Sequence, residues 1–139
     1  MTLHVITVYH NTSGRFGPYA SGHGLVGVIS HWHHQPEGAE LEQIADWIFH
    51  LLNVDLEDLH SARANSGGES AFLLACSYRL LGLRSMATGD VLALTVGDRT
   101  TWLACEPIGW RRISAPTVPL GSPTDADAVR QRLRETRRG

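Results

Sequence analysis

Residues 84 to 113 constrain the fold of this chain more than any other stretch. Arg84-Ser85-Met86-Ala87-Thr88-Gly89-Asp90 leads into Val91-Leu92-Ala93-Leu94. Gly97-Asp98-Arg99 interrupts, and Thr101-Trp102-Leu103-Ala104-Cys105 returns, followed by Gly109-Trp110-Arg111-Arg112-Ile113. Two apolar runs on either side of a short polar turn predict a β-hairpin with strands at about 91–97 and 100–106. Residues 108–113 add another short extended segment. Gly89 permits a backbone angle that other residues avoid, and Asp90 is suited to bonding backbone amides, so this pair is assigned a structural turn.

Two further strands are expected. Residues 3 to 9 are rich in β-branched side chains, and 25 to 32 form a nearly continuous apolar run that suggests partial burial on both faces. A Gly-rich loop from Asn11 to Gly24 joins them. Pro36 is expected to open a helix reaching Leu52, with Glu37 and Glu40 at its positive end. Leu41, Ile44, Ala45, Ile48, Leu51 and Leu52 fall on one face of it, opposite Glu42, Gln43, Asp46 and His50. Residues 53–69 read as loop with a short helical turn. The apolar segment Ser70 to Leu81 favours a helix over a strand, although periodicity does not settle it. Pro116, Pro119 and Pro123 mark a linker. A terminal helix is expected from Asp125 to Arg138, capped by Thr124 or Asp125, with Ala126, Val129 and Leu133 as a thin apolar face.

The expected architecture is therefore α+β: a small mixed or antiparallel sheet packed by one main amphipathic helix, with a C-terminal β-hairpin and a basic helical tail. Residues 1–113 form the domain, and residues 114–139 form the Pro-rich linker and Arg-rich terminal helix. The length of 139 residues suits one domain with a core that needs no staples. No apolar run is long enough to span a membrane, and the N-terminus lacks the pattern of a signal peptide. Cys76 and Cys105 make no disulfide framework and are expected as reduced, buried thiols in the cytoplasm.

All 12 basic residues are arginine. That usage fits a GC-rich, actinobacterial-type genome, and it excludes any mechanism that needs a lysine amine. The net charge of −2 hides an uneven distribution. Residues 37–69 are strongly acidic, and residues 111–139 hold most of the arginines.

The block from Arg84 to Ile113 resembles the YodL-like domain family, small bacterial domains of plasmid, phage and other mobile-element proteins. The resemblance rests on Arg84-Ser85-Met86-Ala87-Thr88-Gly89-Asp90-Val91-Leu92, on Trp102 and on Gly109-Trp110. Val8-Tyr9 and Leu51-Leu52-Asn53 stand in the order such domains show. It implies a small α+β domain over residues 3–113, with no catalytic residue to carry over. Separately, no cofactor is expected. Trp110 stands where a smaller aromatic is usual, Asn65 to Leu83 is long and apolar for the family, and the Arg-rich tail lies outside it. The Ser-Met and Gly-Asp pairs are also similar to self-cleaving serine–lysine proteins. The absence of lysine and the short spacing from Ser85 to Gly89 remove that chemistry.

Three surfaces are candidates for function. Glu40, Glu42 and Asp46 would suit a basic protein partner. Trp110, Arg111 and Arg112, with Arg130 and Arg134 of the tail, would suit single-stranded nucleic acid by stacking and phosphate contact. His31 and His33 point to one side of a strand and are the weak candidates for a metal, which would serve a hydrolase or nuclease. The resulting expectation is a non-enzymatic binding module of a mobile element, most simply protein-binding and acting against host defence in one version. Neither the partner nor the oligomeric state is legible from the residues. Trp32, Trp47, Trp102 and Trp110 are expected in core or rim packing, with one of the four at a partner surface.

Overall fold

The computed structural model describes residues 2–13, 17–36, 38–61, 63–65, 68–117 and 124–125. Alternating burial along the chain's extended runs builds the sheet. β1 (Thr2–Asn11) and β2 (Leu25–Gln35) pair antiparallel, and β1 also pairs antiparallel with β3 (Val91–Val96). β3 pairs with β4 (Arg99–Cys105), and β4 with β5 (Trp110–Ile113), again antiparallel. Between β1 and β2 the register shifts at Val8/Tyr9, so that Val28 is passed over. Such a bulge bends the strand and increases its local twist.

The helices are α1 (Leu41–Asn53), α2 (Leu56–Ser61) and α3 (Gly68–Leu80). α1 buries Ile44, Ala45, Ile48, Leu51 and Leu52, the stripe its periodicity predicts. α3 buries Ala71, Leu74, Ala75, Ser77 and Tyr78. These side chains share one core with Ile6, Val8, Ile29, Leu92, Leu94, Leu103 and Cys105 of the sheet. The fold is α+β: among the described residues an antiparallel sheet of five principal strands carries helical cover over one face. At one end of the other face Tyr9, Tyr19, Leu25, Val91, Ala93 and Ala104 form a smaller cluster.

Two boundaries differ from expectation. α1 begins at Leu41, not at Pro36. The Pro36 carbonyl accepts the Ala39 N–H at 3.2 Å, and Gly38 takes φ +80°, which a right-handed helix does not use. Pro36 thus closes β2 instead of opening α1. Thr124–Asp125, expected to cap a helix, is the two-residue β6, running parallel to Ile29–Ser30 of β2. The remainder of the expected terminal helix, including Arg130 and Arg134, lies outside the described residues.

Candidate functional site

The turn from Arg84 to Asp90 is built around one carboxylate. Asp90 is 0% exposed. Its Oδ2 accepts from Arg84 Nη1 at 2.7 Å and from the Ala87 N–H at 2.9 Å. Its Oδ1 accepts from Arg84 Nη2 at 2.7 Å and from the Asn11 N–H at 2.9 Å. A buried charge is tolerable only when paired and hydrogen-bonded, and four donors meet that requirement. Gly89 sits at φ +95°, and a Cβ there would run into the Gly17 carbonyl oxygen. Asn11 Nδ2 donates to the Gly89 carbonyl at 3.0 Å and lies 3.1 Å from His23 Nδ1.

Beside this turn His10 Nε2 lies 2.6 Å from the Tyr78 hydroxyl. That hydroxyl donates its one proton to the Arg84 carbonyl. His10 Nε2 must then be the donor to Tyr78, which fixes the tautomer of the neutral ring. Burial lowers the His10 pKa, outweighing the attraction of Asp90, and burial raises that of Tyr78. The group has the residue types of an acid–base site, yet its protons are committed to holding β1, α3 and the turn together. Sequence reasoning missed His10, Tyr78 and Asn11 here. The partners are 68 to 79 positions apart, and no local pattern marks them.

His31 and His33 do share one face, turned toward the helices. His31 Nε2 lies 3.3 Å and His33 Nδ1 3.1 Å from Ser70 Oγ on α3. Trp47 stands edge-on to His33 at 4.9 Å. Burial, with a smaller contribution from His31, lowers the His33 pKa to about 3. His33 Nε2 is buried with no hydrogen-bond partner. Among the described residues no group of three His, Cys, Asp or Glu side chains is gathered in a way that could hold a metal.

The acidic and basic candidates meet each other. Trp110 Nε1 donates to Asp46 at 2.8 Å, and Arg112 Nε donates to Glu42 at 3.1 Å. The bond from Arg112 holds the Glu42 carboxyl below its usual range. Trp110 also meets Phe49 edge-on at 6.4 Å. Arg111 Nε donates to Glu106 at 2.8 Å, and its Nη2 reaches the Tyr19 carbonyl. These contacts fasten β5 to α1 and to the 17–24 loop. Each exposed ion pair contributes on the order of 0–1 kcal/mol. Glu40 is exposed at the start of α1, where its backbone carbonyl accepts from Gln43 and Ile44. The thiols are poor nucleophiles: burial raises the pKa of Cys76 and lifts that of Cys105 to about 11.

The sheet's opposite face holds a different feature. Because His31 and His33 point to the helices, strand alternation turns Trp32 outward, and it is 60% exposed. Val5 lies directly across from it on β1, and Leu3, 39% exposed, is one step diagonal. No helix among the described residues is long and apolar enough to cross a membrane. Comparison with protein-family models, curated proteins and solved structures gives no significant match.

Proposed function

We propose that this chain is a non-enzymatic protein-binding module and that the sheet face around Trp32, which no helix of the described residues covers, is its docking surface. The observation that supports this reading is the exposure of Trp32 beside Leu3 and Val5. Tryptophan is enriched in binding hot spots, and a grouped apolar patch on a small domain commonly marks an interaction site. The acidic helix is less suited to the role expected of it, because Glu42 and Asp46 already bond to β5. The resemblance to YodL-like domains supports a place among accessory proteins of mobile elements, and action against host defence is the corresponding biological version.

Photo-crosslinking in the host tests this. A benzophenone amino acid replacing Trp32 is expected to give a discrete protein adduct, and the same group at Asp46 is not. Adducts from position 46 alone would return the interface to the acidic helix. Absence of adducts from both positions would remove the binding-module reading.

A further inference from the structure

The two edges of the sheet are protected very differently. β5 is four residues long and carries Arg111 and Arg112, the kind of charged guard that discourages strand pairing. β2 is the longest of the described strands, and its sequence, Leu-Val-Gly-Val-Ile-Ser-His-Trp-His-His-Gln, contains no Asp, Glu, Lys or Arg. Its outer edge already accepts one strand, since β6 runs beside Ile29 and Ser30. Among the described residues no strand continues that pairing along Trp32–Gln35, and Pro36 follows immediately.

We infer that the occupant of this remaining edge is a second copy of the chain, paired antiparallel through β2 about a two-fold axis. This rests on the reading of the Trp32 region as a docking surface and extends it to the strand edge that adjoins it. A two-fold interface must be self-complementary, with one patch serving both sides. An edge without fixed charge meets its own copy without like-charge repulsion, whereas β5 would oppose arginine to arginine. An axis perpendicular to the sheet keeps the same face upward in both copies. With His33 at the axis, each Trp32 stands opposite the partner's His34, and the two apolar patches join on one continuous face. β6 fixes the limit of the pairing, because it already occupies the edge beside Ser30.

Sedimentation velocity on the full chain, from about 1 to 100 μM, reads this directly. The expected result is a species of twice the chain mass that dissociates on dilution. The double variant Trp32→Lys/His34→Lys guards the edge at two exposed positions. It is expected to weaken the dimer at least tenfold with an unchanged circular dichroism spectrum. A wild-type chain that stays monomeric throughout overturns the inference, as does a double variant that dimerises equally well. A chain that dimerises only after removal of residues 126–139 also overturns it, since the tail would then be the edge's occupant. If the chain is monomeric while position 32 still crosslinks to a different protein, the binding-module reading survives and only the self-pairing falls.

Discussion

Two polar clusters lie under the same helical layer and are satisfied to very different degrees. At one end Asp90, Arg84, Asn11, His10 and Tyr78 form a network in which the carboxylate has four donors and the Tyr78 proton has a fixed acceptor. At the other end His31 and His33 share one serine hydroxyl, and His33 Nε2 has no partner. A hydroxyl has one proton to give, so Ser70 can donate to one neutral imidazole and must accept from the other. The first cluster is a clamp that defines the turn. The second is a marginal arrangement held by the packing around it, and the two should respond differently to mutation and to acid.

The largest effect is expected at the clamp. Asp90→Ala removes the carboxylate that accepts from the Arg84 guanidinium and from the Asn11 and Ala87 N–H groups. Removing one member of a buried pair typically costs about 3–5 kcal/mol. The Arg84 side chain is 36% exposed and regains some hydration, so the expected loss is near the lower end, about 3 kcal/mol. Urea unfolding of the variant measures it. A loss below about 1 kcal/mol would show that the network does not hold the turn.

Acid should act on the second cluster. His33 has a folded-state pKa of about 3, against an unfolded value of about 6.5. Between those values the unfolded chain binds the proton and the folded chain does not. Stability is therefore full above about pH 7 and falls as pH drops through 6.5, by up to about 1.4 kcal/mol per pH unit. His4 and His10, both lowered by burial, shift the curve in the same direction. Unfolding midpoints at neutral and mildly acidic pH test this, and His33→Gln should flatten the dependence. An unchanged slope in that variant would place the acid sensitivity elsewhere.

How much of this was legible depends on the range of the interaction. α1 was readable because its apolar stripe repeats within the helix itself, and the β3–β4 hairpin because its turn is local. α3 was ambiguous because apolar residues surround it: Leu74 and Tyr78 are buried, while Leu73 and Cys76 are half-buried and Leu80 exposed. Pro36 suits both a strand end and a first helical turn, and only the φ of Gly38 decides between them. The turn role of Gly89-Asp90 followed from residue type, but the Arg84, Asn11 and Tyr78 contacts around it required the tertiary fold. Glu42 and Arg112 are 70 positions apart, so their charges read as two opposed surfaces until β5 is laid beside α1. Trp32 illustrates parity. Once His31 and His33 are placed inward, its outward position follows, yet nothing in a His-Trp-His-His run states which parity is buried.

The smallest effect distinguishes the clusters most sharply. Ser70→Ala deletes the hydroxyl that lies between the two imidazoles, without changing their charge. In a saturated network the loss of one shared group strands several buried partners at once. Here His33 already has one nitrogen unpartnered, and the variant removes only the two contacts that Ser70 makes. The expected cost is about 1–2 kcal/mol, that of two neutral hydrogen bonds. Differential scanning calorimetry of Ser70→Ala and Asp90→Ala at neutral pH places the two on one scale. A Ser70→Ala loss as large as that of Asp90→Ala would mean that the histidine pair is a second clamp, with its structure resting on the serine as fully as the turn rests on Asp90.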